Sequence, residues 1–286
     1  MTTHVVADDA LGVVARRQWE VQRRVMEGTL DPGFVAKNLQ LIAEERPVSS
    51  AAATVTACPF FAGEEVKSNY GYPSGYAVKP ITEQLIVLSK HFPGLDVSSV
   101  LGLSKDLPGL PQGAEGWFVV PKHEKVATTY NDAVEKILEV IGATRNLYNY
   151  RKGVTGPKYL KLSDRTAEAL RMIGDYQKGD VLLIPGQFGL MHRGCSTRRT
   201  RMVYAPNEFG LGSFIGGTML LTHPERLVQW EQLHVDLPGD EYSSGADGQF
   251  GHAPCLYFLV GRVKFGADGV SCAYGLFGSA SGFLPQ

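Results

Sequence analysis

Apolar residues recur mainly at helical spacing between residues 8 and 173. After Gly179 they give way to short strand-like runs, without the strand-helix alternation of a parallel βαβ sheet. This order predicts an α+β fold, with an N-terminal helical hairpin followed by a mixed domain whose helices come early and whose antiparallel β-rich part is C-terminal. The 286 residues, 44% hydrophobic and 20% charged, suffice for a real core and exclude wholesale disorder or a coiled-coil rod. Thirty-three glycines, about 12% against a norm of roughly 7%, favour many turns and short strands over long helices.

Residues 8–44 read as two helices. Leu11, Val14, Val21 and Val25 stripe the first, and Asp31-Pro32 opens a second carrying Val35, Leu39 and Ile42. The expected organisation is a hairpin over 1–46, a linker over 47–63 and a main domain over 64–286. Within that domain Ile81, Leu85, Leu88 and Phe92 predict a helix closed by Pro93-Gly94, and 117–120 predicts a strand. Further helices are expected over 130–141, from Ser163, and from Thr222 through Trp230, where Thr222 and Glu225 have capping-box spacing. Strands are expected at 180–184, 201–205, 256–260 and 262–265, the last two flanking Gly261 as a hairpin. The glycine-rich stretch 210–217 reads as a flexible turn or as close backbone packing.

Asp8 and Asp9 precede a short apolar run where a secretory signal would need a basic start, and the longest uncharged stretches are broken by Gly, Ser and Thr. The four cysteines are too sparse for a disulfide scaffold. These features predict a cytoplasmic protein with no membrane partner.

The net charge of −1 conceals an internal asymmetry: −4 over residues 1–144, +8 over 145–201 and −5 over 202–286. The basic middle segment is either the footprint of a polyanion or a face neutralised inside the fold. Arg193, Arg198, Arg199 and Arg201, interleaved with Gly, Ser and Thr, suit phosphate oxygens, and as a strand the segment would project Arg199 and Arg201 to one face. With Arg151, Lys152 and the stacking-capable Tyr148 and Tyr150 they form a basic, aromatic set of the kind that binds single-stranded nucleic acid. A pI near 6.7 is low for such a binder.

A repeated spacing gives a second candidate site. His192-Arg-Gly-Cys195 and His252-Ala-Pro-Cys255 place an imidazole and a thiol three residues apart twice, a Cys2His2 set for zinc. Seven histidines and four cysteines would produce roughly 0.1 such pair by chance. The alternative is ordinary packing, with Cys255 leading into a strand as a small hydrophobe. Asp236, Asp240, Glu241 and Asp247 form an acidic stretch that reads as a solvated hairpin, or as calcium ligands, or as a general acid or base beside His223 or His234. No Gly-x-Ser-x-Gly elbow, P-loop or dinucleotide fingerprint is present.

Two resemblances complete the reading. The segment from Glu27 to Ile42 (EGTLDPGFVAKNLQLI) and the closing GSASGFLPQ resemble a leader and tail of uncharacterised bacterial proteins, which implies a docking role toward a protein partner for residues 8–44. Gly179 to Gly186 followed by His192 resembles one strand of a cupin barrel, whose histidine beyond Pro-Gly ligates a metal. Here Gly186 directly follows the proline, His192 lies seven places beyond it rather than five, and no upstream His-x-His exists. The function expected is a binding or interaction module for an anionic partner, nucleic acid among the choices. The rival is a zinc-dependent enzyme or structural zinc protein.

Overall fold

The computed structural model describes residues 21, 25, 31–43 and 58–285. The chain divides into two compact units, residues 1–60 and 61–286. In the first, Val21 and Val25 are helical, and the rest of the predicted first helix lies outside the described residues. Helix α1 (Pro32–Ala43) starts where Asp31-Pro32 signals it, and its Leu39 and Ile42 are 51% and 58% exposed. Most of the expected linker also lies outside the described residues.

The second unit contains, in order, α2 (Ile81–His91), α3 (Ser98–Leu103), β1 (Gly116–Pro121), α4 (Tyr130–Thr144), β2 (Leu147–Asn149), β3 (Leu160–Leu162), α5 (Asp164–Tyr176) and β4 (Val181–Gln187). There follow α6 (Thr197–Val203), β5 (Glu208–Gly210), α7 (Ser213–Thr222), β6 (His234–Asp236), β7 (Asp240–Tyr242), β8 (His252–Leu259), β9 (Arg262–Gly269), β10 (Phe277–Ser279) and β11 (Ser281–Phe283). The fold is α+β with a β-rich C-terminal part, as the periodicity predicts. None of the described helices is long and apolar enough to cross a membrane.

The strands form two sheets. One is antiparallel with order β1-β4-β11-β5. The other centres on β8, which pairs with β9 along one edge and with β6 and β7 along the other. Strand β2 lies outside β9, β10 outside β6 and β3 outside β7. Ala280 links the sheets: the chain leaves the second at Ser279 and enters the first at Ser281. The β8-β9 hairpin turns at Val260-Gly261, both with positive φ (52° and 70°), which matches the right-handed twist of its strands.

Four local expectations are corrected. Residues 197–203 form helix α6, because the Ser196 hydroxyl accepts the Arg199 backbone N–H at 3.0 Å and caps it. The glycine-rich stretch contains the first half of α7, which is buried along its whole length, with Gly216 against Leu237 and Gly217 against Ile137 and Ile141. A helix buried all round has no amphipathic stripe to reveal it. Thr222 therefore ends a helix, and the predicted helix beyond it is a single 3-10 turn over Pro224–Arg226. The acidic stretch is not a solvated hairpin throughout: Asp236 and Asp240 are buried in β6 and β7, and only its later part, including Asp247, is exposed.

Candidate functional site

The arginines of the basic segment are engaged within the fold. Arg198 pairs with Glu64 and stands 4.0 Å from the Phe61 ring centroid, and its hydrogen bond holds the Glu64 carboxyl below the usual range. Arg199 is buried and pairs with Glu65. Arg201 donates to the carbonyls of Pro238 at 3.0 Å and Asp240 at 2.7 Å. Arg193 is exposed and donates to the Tyr70 carbonyl at 3.2 Å. Because α6 is a helix, residues 199 and 201 lie about 200° apart around its axis, so the shared strand face expected for them does not exist.

The two His-x-x-Cys pairs occupy different settings. His192 Nε2 lies 2.6 Å from Glu208 Oε1, and Glu208 also accepts the Ser281 hydroxyl and the Ala205 N–H. Burial raises the Glu208 carboxyl, but these hydrogen bonds outweigh it and hold the group below its ordinary value. Cys195 pairs with Glu65 in an isolated bridge, and burial raises its thiol pKa. His252 and Cys255 lie three residues apart on β8, so strand alternation sends them to opposite faces. Among the described residues no group of three or more His, Cys, Asp or Glu side chains is placed to hold a metal ion. His192 follows β4 as the cupin resemblance requires, but its ring is taken up by Glu208.

What the fold does gather lies on the second sheet. Register places Cys255 beside Gly266, Tyr257 beside Lys264 and Ala253 beside Asp268. Asp236 of β6 joins Cys255, Phe277 of β10 joins His234, and Tyr148 of β2 joins Lys264. Alternation puts these residues on one face, while Val235, Leu256, Val263 and Phe265 turn the other face into the core. Where β2 ends, a cleft of about 350 Å³ opens, lined by Tyr150, Arg151, Cys255, Tyr257, Asp268 and Phe277 among others. Gly266 keeps its floor low: a Cβ there would stand 3.3 Å from a Tyr257 ring carbon and 3.7 Å from Cys255 Sγ.

The electrostatics of this face are uneven. Lys264 is only 8% exposed, its ammonium lying 4.7 and 5.0 Å from the Tyr148 and Tyr150 ring centroids. Its one hydrogen bond is to Tyr150 Oη at 3.3 Å, and it has no ion-pair partner among the described residues. Arg151 donates Nη2 to the Ala267 carbonyl at 3.1 Å, and its buried Nε has no hydrogen-bond partner among the described residues. Burial first, and then Asp268, push Asp236 up to about 8, so this carboxyl is neutral at pH 7. Burial, with Asp236 and Asp268 nearby, raises the Cys255 thiol far above its ordinary value, which leaves it protonated and a poor nucleophile. Tyr257 is pushed up to about 12, chiefly by burial.

Tyr148, Tyr150 and Arg151, singled out in the sequence, thus belong to this face, and Lys152 is exposed beside them. Asp236 and Cys255 also belong to it, although the sequence placed them in an acidic loop and a zinc set, while Lys264, Tyr257, Asp268 and Phe277 were missed. The alternation of Lys264, Gly266 and Asp268 with Val263, Phe265 and Ala267 is visible in the sequence, but the pairing that brings Tyr148 and Asp236 alongside is not. A second hollow, of about 360 Å³ near Phe92 and Gly94, is bordered by Lys125 and Asp180, which pair with each other at 3.0 Å. No protein-family model, no curated protein and no solved structure matches this chain.

Proposed function

We propose that the protein is a binding module that takes a small anionic ligand in the cleft at the end of β2. The observation that carries this is Lys264, a buried ammonium without a carboxylate partner among the described residues, whose hydrogen bond to Tyr150 Oη sets it behind that wall of the cleft. An unpaired buried charge costs several kcal/mol in real proteins, and two cation-π contacts of about 0.5–2 kcal/mol each offset only part of that. An anion from outside supplies the missing partner, and the Arg151 guanidinium, which lines the cleft, gives it a second donor. The cleft volume lies in the range of small-molecule sites, roughly 300–1,000 Å³. Asp236, neutral at pH 7, adds no repulsion there.

Calorimetric titration of the full chain with inorganic phosphate tests this reading. Saturable 1:1 binding is expected, weakened at least tenfold in Lys264→Met and unchanged in Arg193→Ala, whose side chain is exposed at a different place. Absence of anion binding, or equal binding by Lys264→Met, would overturn it.

A further inference from the structure

The cleft is more specific than an anion hole. Three of its walls are aromatic. Tyr150 is 50% exposed and stands edge-to-face with Tyr148 at 4.7 Å, and Tyr257 and Phe277 are half-buried with ring centroids 6.3 Å apart. These rings offer flat apolar surface beside the Arg151 guanidinium. Asp268 stands on the same rim. Its Oδ1 accepts the Gly269 N–H at 2.8 Å, and its other oxygen accepts no hydrogen bond from the described residues. The cleft therefore presents three kinds of recognition at short range: a cationic donor at Arg151, with the Lys264 ammonium behind the Tyr150 wall, ring faces, and a carboxylate acceptor.

A bare phosphate or a sugar phosphate satisfies only the first. A carboxylate acceptor on the rim of an anion site repels a ligand that is negative throughout, and favours one whose far edge donates N–H bonds. A ring face in a cleft of this volume favours a single planar heterocycle. We infer that the ligand is a nucleotide-like heteroaromatic anion, its anionic group against Lys264 and Arg151, its ring against Tyr150, Tyr257 and Phe277, and an amino-bearing ring edge toward Asp268. This rests on the anion-binding reading above and names the class of ligand.

The test is calorimetric titration of the full chain with AMP, IMP and ribose 5-phosphate. AMP is expected to bind about tenfold or more tighter than ribose 5-phosphate, the effect of stacking one base on an aromatic ring. It should also bind tighter than IMP, which carries an oxo group where AMP carries an amine. Tyr150→Leu should shrink the advantage of AMP over ribose 5-phosphate, and Asp268→Asn should narrow the gap between AMP and IMP. An oligo-deoxyadenylate arm separates the sources of the same chemistry: tighter, strongly salt-dependent binding than AMP assigns the nucleotide to a single strand, and weaker binding assigns it to a free molecule. Ribose 5-phosphate binding as tightly as AMP overturns the inference and leaves the anion reading standing. Failure of every phosphate compound to bind overturns both. Should either variant fail to fold, the wild-type ranking of the three ligands decides the matter alone.

Discussion

The Asp240 carboxylate accepts the backbone N–H of Ser213 at 2.6 Å, and its other oxygen accepts the Tyr130 hydroxyl at 2.7 Å. One buried side chain of β7 thus satisfies the first turn of α7 and ties it to α4. Gly212 precedes that turn because a Cβ there would meet Asp240 Oδ1 and Tyr130 Oη at 2.5 Å. Asp240→Ala leaves both donors buried and unpaired, at about 1–3 kcal/mol each. Urea unfolding should show a loss of roughly 2–6 kcal/mol, with Asp240→Asn losing less because it keeps one acceptor. Equal stability of Asp240→Ala and wild type would remove this role.

Stability should fall as pH rises from 7 to 8. Folded Asp236 holds its proton to about 8, whereas the unfolded side chain loses it near 3.8. In between, the native state binds more protons, so raising the pH favours unfolding by about 1.4 kcal/mol per pH unit. Below 7 the effect is masked. Burial lowers His223 and His234 to about 4, so the unfolded state takes up their protons first and stability from these groups grows with pH, while Asp240, raised by burial to about 6, acts in the opposite sense. Urea midpoints measured from pH 7 to 8, where the unfolded histidines are mostly deprotonated, should decline for wild type, and those of Asp236→Asn should not decline. A variant that keeps the wild-type slope would assign it to another group.

Val260 sits at φ 52°, is 78% exposed, and precedes Gly261 in a turn that favours Asn-Gly. A β-branched residue in the left-handed region is strained, and that region costs an ordinary L-residue about 1–2 kcal/mol. Val260→Asn should raise stability by about 1 kcal/mol in chemical denaturation. A lower midpoint would show that Val260 makes contacts worth more than the strain.

Arg201 serves the fold through the carbonyls of Pro238 and Asp240. Arg201→Ala should cost about 2 kcal/mol, since both acceptors lose a charged donor. Phosphate affinity at the cleft should not change. Lys152→Ala, at an exposed site, should move stability by no more than about 0.5 kcal/mol. A tenfold loss of phosphate affinity in Arg201→Ala would return the anion site to the arginine segment.

How much was legible in the sequence follows from where each element buries its surface. Helices α2, α4 and α5 have one buried and one wet face, so Leu85 and Leu88, or Val134, Ile137 and Ile141, show the helical period directly. The β8-β9 hairpin was visible from its two apolar runs around Gly261. Helix α7 was hidden because contact on every side removes the period, and α6 because one serine cap outweighs the strand-like look of its residues. In the site, Tyr148, Tyr150 and Arg151 were marked by local composition. Lys264 was not, since a lone lysine in a strand carries no local signal, and Asp236 was marked only as part of an acidic stretch whose place in the second sheet the sequence does not show.

Composition and periodicity alone determined the class of this fold and the order of most of its elements, because an amphipathic segment records in its own residues which side meets water. Pairing, neutralisation and burial were decided only in three dimensions. Glu64 and Glu65 cancel Arg198 and Arg199 across more than a hundred residues of chain. Strand alternation separates His252 from Cys255 although they are close in sequence. The β2-β9 pairing sets Lys264 beside Tyr148, with no ion-pair partner among the described residues. The physical reason is common to all three: a charge or a thiol acquires its chemistry from neighbours and from loss of water, and the tertiary structure chooses both.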